Sequence, residues 1–185
     1  KSGGMAVERT EGEHRMADMS SEQVNLLISL LIRFPHVSAV HYEPSDRSLR
    51  FVYLLKDVQR EELHRFADTA KVHLQAFHSI LPPTAPEPQV AAIQHEQSEG
   101  LWVLQIRRDV LSLSYEELNL INEVVQQCLG EAVICDTIEN MDDEYFDEGM
   151  GIAALLSSGG GFGDEKLSGF REKGRVLVFS TPVKS

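Results

Sequence analysis

The densest cluster of side chains able to do chemistry is an acidic run between Met141 and Gly149. It holds five carboxylates within about two helical turns: Asp142, Asp143, Glu144, Asp147 and Glu148. Carboxylates three or four positions apart share a helix face, and hard cations prefer oxygen ligands. Asp142, Asp143 and Asp147 are therefore candidate metal ligands, although their spacing is not that of an EF-hand loop. The alternative is an acidic segment that is simply exposed to water.

A glycine-rich run follows the acidic one and is typical of a mobile loop. Its glycines are Gly159, Gly160, Gly161 and Gly163. Glycine bends with little steric cost but loses much conformational freedom when it becomes ordered. The run lacks the Gly-Lys-Ser/Thr ending of a phosphate-binding P-loop. We predict either a lid over a small ligand or a flexible insertion.

Apolar side chains are interspersed with these two runs. They are Tyr145, Phe146, Leu155, Leu156 and Phe162. Apolar anchors in an acidic, flexible setting are typical of segments that become ordered on binding another protein. The sequence therefore predicts that these residues contact a protein partner.

The histidines and cysteines do not have the spacing of a metal site or a catalytic pair. One predicted helix carries His64, His73 and His78 without the four-residue spacing of a zinc-binding pair. We interpret the histidines at or near predicted strands as partly exposed imidazoles: His36, His41 and His95. Cys128 and Cys135 have no zinc-ligand spacing and are expected to be buried thiols in a reducing compartment. The chain also lacks a Gly-x-Ser-x-Gly elbow, so we expect no cofactor and favour a protein without catalysis.

The overall charge limits the classes of partner. The chain has 185 residues, of which 42% are hydrophobic and 25% charged, and its formal net charge is −12. Nucleic acid is bound mainly by clustered Lys and Arg, so this acidic chain is not expected to bind it. No apolar run approaches the roughly 20 residues of a membrane span, and no signal peptide is evident. We expect a cytoplasmic protein that does not contact membranes.

Capping signals and apolar spacing predict three helices that would position these groups. A capping box at residues 20–23 begins a helix over 21–34, which ends because of Pro35. A second helix runs from a cap at Asp57 to about Ile80. A third follows a capping box at Ser114 and ends before Gly130, a candidate C′ residue.

Short apolar runs separated by turn formers predict the strands. They span 37–42, 48–55, 90–94, 101–106, 132–135 and 175–179. We expect the last two to pair with each other across the acidic and glycine-rich residues. The prolines at 82–88 indicate an extended connector inside the same domain.

These elements predict an α+β fold with a mostly antiparallel sheet of five or six strands and helices on one face. The order is αββαββαβ, an insertion, and a final β. A repeated αββ unit is one interpretation, and the ferredoxin-like order βαββαβ over 48–135 is another. We assign 1–19 to a tag remnant and disordered lead-in, 20–180 to one domain with a flexible insertion at 138–174, and 181–185 to a tail.

The leading functional hypothesis is a non-enzymatic interaction or regulatory module. We expect it to bind a protein partner through the mobile acidic and glycine-rich segment and to self-associate, as a dimer in the first instance. One alternative is a divalent-cation-binding protein or metal-dependent enzyme that uses the acidic cluster. Another is a small-ligand sensor with a glycine-rich lid.

Overall fold

A six-stranded antiparallel sheet forms the framework of the protein. The computed structural model describes residues 22–135, 148–157 and 163–182. The strand order is β3-β4-β2-β1-β5-β6. The strands are β1 (Ala39–Glu43), β2 (Ser48–Leu55), β3 (Ala91–Ser98), β4 (Leu101–Asp109), β5 (Glu165–Glu172) and β6 (Arg175–Pro182). The prediction of an α+β fold with a mostly antiparallel sheet is confirmed.

Four helices accompany the sheet in the described part of the chain. They are α1 (22–33), α2 (Arg60–Ser79), α3 (Tyr115–Leu129) and α4 (Glu148–Ser157). The cap predicted for α3 is confirmed, because the Ser114 hydroxyl accepts the Glu117 N–H at 3.2 Å. The cap predicted for α2 is wrong. Asp57 has a left-handed φ of 54°, and the N-cap of α2 is Gln59.

One face of the sheet carries the core. Val40, Phe51 and Ile106 lie side by side on neighbouring strands, and all three are buried. Residues two positions away along each strand repeat this pattern, since alternate side chains of a strand share a face. Helices α1, α2 and α3 pack their apolar stripes against this face through residues such as Leu27, Phe66 and Ile121. Helix α4 adds buried apolar side chains to the same core.

The last hairpin differs from the predicted one. Residues 132–135 do not form a strand that pairs with β6; Val133 makes only an isolated bridge to Leu55. Instead β6 pairs with β5, through a turn at Lys173 and Gly174 in which both φ angles are positive, as in a type I′ turn. The predicted flexible insertion at 138–174 therefore contains helix α4 and strand β5 in its described parts.

Close packing explains why β5 has a weak strand signal. Gly169 lies beneath α1, where an added Cβ would come within 3.0 Å of the Leu31 Cδ1 atom. A glycine inside a strand lowers the strand propensity of its segment but permits close approach of a neighbouring element. Here the residue that obscures the strand in the sequence is the one that lets the helix pack on it.

Candidate functional site

The structure describes only some of the residues predicted to bind a metal, a ligand or a partner. The following lie outside the described residues, and their roles stay predictions: Asp142, Asp143, Tyr145, Phe146, Asp147, Gly159, Gly160, Gly161 and Phe162. Gly163 precedes β5, and a Cβ there would meet nothing within 4 Å. Leu156 is only 4% exposed in the core, and Leu155 is partly buried against it. Both leucines therefore stabilise α4 on the domain, and their contact with a partner stays a prediction.

The cysteines differ from expectation, and the described residues hold no evident metal centre. Cys128 and Cys135 are both exposed free thiols, so the prediction that they are buried is wrong. In the last turn of α3 the inward position belongs to Leu129, which leaves Cys128 facing water. Within 22–135, 148–157 and 163–182, no three His, Cys, Asp or Glu side chains are grouped to hold a metal ion.

The sheet face opposite the described helices is the strongest candidate site. We call it the open face and define it by the side chains that alternate with the core positions: Ala39, His41, Glu43, Arg50, Val52, Leu54, Ala92, Gln94, Glu96, Val103, Gln105, Arg107, Ser168, Phe170, Leu177 and Phe179. No helix in the described part of the chain packs on it. It combines charged, amide and aromatic side chains on rigid strands, which is a suitable surface for recognition.

A polar depression lies at the centre of the open face. Its volume is about 260 Å³, and it is lined by His41, Glu43, Arg50, Gln94, Gln105 and Arg107. Strand register creates it, because Arg50 lies opposite His41 on β1 and opposite Arg107 on β4. The paired amides Gln94 and Gln105 form its next row.

Two cations at the depression are paired, whereas Arg50 has an unsatisfied donor. Arg107 forms an ion pair with Asp46 and also donates to the Ser48 hydroxyl at 3.2 Å. Lys166 lies 3.3 Å from a Glu43 carboxylate oxygen. The Arg50 Nε atom is shielded from water and has no hydrogen-bond partner among the described residues. The Arg50 side chain as a whole is partly exposed and lines the depression, so its other N–H groups can donate to an acceptor that approaches the open face.

His41 is neutral at the floor of this depression. Burial, followed by the charges of Arg50 and Lys166, lowers the pKa of His41 to about 4. Its Nδ1 atom lies 2.9 Å from the Ser168 hydroxyl, and its ring meets Phe170 edge-on at 5.4 Å. A serine paired with a histidine can act as a nucleophile, but an effective general base has a pKa near the working pH. A pKa of about 4 makes binding a better assignment for this pair than catalysis.

Aromatic side chains lie beside the depression. Phe170 and Phe179 have ring centroids 6.1 Å apart and are 37% and 55% exposed. Leu177 neighbours them across the β5–β6 ladder. Exposed aromatic side chains are typical of the residues that anchor a protein interface.

A second polar cluster is buried between β4, α2 and α3. The Arg108 side chain is 1% exposed and donates through Nη2 to a Glu117 oxygen at 2.9 Å, through Nε to the other Glu117 oxygen, and through Nη1 to Asp109 at 2.7 Å. His78 Nε2 approaches Glu117 at 2.7 Å. Burial opposes the charge of Asp109, but hydrogen bonds from Val90, Ser112 and Gln89 and the charge of Arg108 together lower its pKa. These partners satisfy one another, so the cluster stabilises the fold and we do not assign it as the site.

The sequence held a signal for both arginines that was missed. Arg107 and Arg108 are adjacent in the sequence and form a short basic pair there. Strand alternation, with Trp102, Leu104 and Ile106 on the core face, places Arg108 inward and Arg107 outward. An inward arginine requires buried carboxylate partners, and an outward one contributes to the open face.

None of the described helices combines the length and the apolar composition that crossing a membrane requires. No protein-family model, no curated protein and no solved structure matches this chain. The function is therefore inferred from the chemistry of the open face.

Proposed function

We propose that the protein is an interaction module whose open face binds an acidic segment of a protein partner. The observation that carries this proposal is the partly exposed Arg50 side chain in the central depression, whose Nε donor has no partner within the described residues. A buried donor without an acceptor costs about 1–3 kcal/mol. Native proteins rarely keep such a group without a reason, and a bound acceptor is one.

The charges around Arg50 favour a carboxylate as that acceptor. The chain carries a formal net charge of −12, yet Arg50 and Arg107 line one depression, and Lys166 pairs with Glu43, which also lines it. The nearby acids Glu43 and Asp46 already pair with Lys166 and Arg107, so they leave Arg50 free to engage another carboxylate. Arginine binds carboxylates with two parallel hydrogen bonds, which also fixes their orientation.

The neighbouring aromatic side chains favour a peptide over a small ion. Phe170 and Phe179 supply apolar area beside the polar depression. A segment that alternates acidic and apolar residues would place carboxylates over Arg50 and apolar side chains against these rings. Such anchors supply most of the binding energy at many interfaces.

The proposal is tested with a fluorescein-labelled peptide of alternating Glu and Phe residues, measured by fluorescence anisotropy. Arg50→Gln is expected to weaken binding by about 10- to 100-fold, since it removes hydrogen bonds to a charged group. Arg65→Gln is the matched control, because it removes the same charge from an exposed position of α2. Equal binding by wild type and Arg50→Gln, or equal binding of a Lys/Phe peptide, would refute the proposal.

The proposed function also includes self-association and a regulatory role without catalysis. Phe179, which is exposed on the edge strand β6, supports self-association. Two free thiols support a reducing compartment such as the cytoplasm. Sedimentation equilibrium would test the first point, and a purely monomeric mass at about 100 μM would contradict it.

A further inference from the structure

Strand β6 lies at one edge of the sheet, and no strand in the described part of the chain pairs with its outer side. The hydrogen-bonding direction of each residue follows from the ladder. The Arg171 N–H donates to the Ser38 carbonyl at 3.1 Å, so odd-numbered residues of β5 face β1 and even-numbered ones face β6. Through the β5–β6 register, the backbone N–H and C=O groups that point away from the sheet belong to Val176, Val178 and Ser180.

The composition of β6 is unusual for an open edge. Residues 176–179 are Val-Leu-Val-Phe, and Arg175 is the single charged residue of the strand. The opposite edge, β3, carries a polar run at 94–97, Gln-His-Glu-Gln. Long apolar edges are templates for pairing, and proteins usually protect them with charge. In a chain with a net charge of −12, β6 brings no acidic side chain to a contact with a second copy.

We propose that β6 pairs antiparallel with β6 of a second copy, about a two-fold axis at Val178. This inference rests on the proposed self-association and names its surface. Val178 would then pair with Val178 of the second copy, and Val176 with Ser180 of the second copy. Each of these pairs exchanges two hydrogen bonds, so every outward-pointing N–H and C=O group of 176, 178 and 180 is satisfied.

The side chains favour this register. On the open face, Leu177 would lie opposite Phe179 of the second copy in a non-hydrogen-bonded pair, where side chains are closest. Both copies thereby bury Phe179, which is 55% exposed in the single chain. An axis at Leu177 would instead set Phe179 against Arg175, and an axis at Phe179 would bring Pro182, which has no N–H, into the ladder.

Disulfide trapping tests the axis directly. In a Cys128→Ser, Cys135→Ser background, Val178→Cys is expected to form a disulfide-linked dimer on mild oxidation. The two Val178 Cα atoms of the dimer lie about 5.5 Å apart, within disulfide range. Val176→Cys is the matched control, because its two copies would be separated by about four residue spacings, or roughly 13 Å. It should remain unlinked.

A second variant tests the hydrogen bonds. Val178→Pro removes an N–H that points away from the sheet, a substitution that edge strands tolerate. We expect a folded protein, by circular dichroism, whose dimer dissociation constant rises about tenfold or more.

The outcomes separate the two proposals. A monomer at all concentrations overturns both this edge and the proposed self-association. A dimer that Val178→Cys does not trap, or that Val178→Pro leaves intact, overturns the edge while self-association through another surface stands. Trapping at Val178 with none at Val176, together with weakening by Val178→Pro, supports the proposal.

Discussion

Replacing Glu117 by Gln is expected to be among the most destabilising single changes in this protein. Glu117 is 1% exposed and accepts two hydrogen bonds from Arg108, whose own side chain is 1% exposed. The His78 Nε2 atom also lies 2.7 Å from a Glu117 carboxylate oxygen. The substitution keeps the shape of the side chain but leaves the guanidinium with Asp109 as its one remaining carboxylate partner among these residues.

The magnitude follows from the burial of the pair. Breaking a buried ion pair by removing one partner costs about 3–5 kcal/mol, because the other charge stays in a low-dielectric interior. Asp109, 2.7 Å from Arg108 Nη1, compensates part of that charge, so we expect the lower end, about 3 kcal/mol. With a urea m-value of about 2 kcal/mol/M, the unfolding midpoint should fall by roughly 1.5 M.

Glu116→Gln is the matched control. Glu116 lies in the same first turn of α3 and loses the same charge, but its side chain is exposed. Its cost should stay below about 1 kcal/mol. If the unfolding free energies of Glu117→Gln and Glu116→Gln differ by less than about 1 kcal/mol, the buried cluster does not stabilise the fold as argued.

Three further predictions concern the sheet. Because His41 has a pKa of about 4 in the folded state against 6.5 in the unfolded state, the free energy of unfolding should fall as the pH drops from 6.5 to 4. His41→Gln should remove about 1–2 kcal/mol of that loss, measured from urea midpoints at pH 7 and pH 4. A variant with the same pH dependence as the wild type would contradict this prediction. Gly169→Val should lower the free energy of unfolding by about 1–3 kcal/mol, because the added side chain overpacks against α1. Gly163→Ala should leave it nearly unchanged, because the space around Gly163 is open. Equal melting temperatures for the two variants would contradict this prediction. Tyr53→Phe should lower the free energy of unfolding by about 1–2 kcal/mol, because the buried phenol donates to the Asn122 side-chain oxygen at 2.8 Å. An unchanged free energy of unfolding would show that this hydrogen bond does not stabilise the fold.

Local signals in the sequence predicted the central elements because their causes are local. The Ser114 cap and the apolar spacing after it located α3. The runs of alternating apolar residues at 48–55 and 101–106 predicted β2 completely and β4 in part. In these segments the residue pattern and the packing agree, so periodicity was sufficient.

Elements shaped by distant contacts were not predictable in the same way. Strand β5 was missed because Gly169, the residue that weakens its pattern, is required by α1, which is more than a hundred positions away in the chain. The depression of the open face was missed because it gathers residues from β1, β2, β3 and β4, and only the strand order brings them together. The predicted roles of the acidic and glycine-rich segments stay predictions.

Strand β4 joins the stability of the domain to its proposed binding surface through two adjacent arginines. Arg108 points into the core and is held by Glu117 and Asp109, whereas Arg107 points to the open face and pairs with Asp46. Successive side chains of a strand point to opposite faces of the sheet, so these two neighbouring arginines lie in different environments. A variant of the buried cluster should therefore lower stability while the protein that remains folded binds the acidic peptide with little change. A variant at Arg50 should do the reverse, since its neighbours lie on the open face.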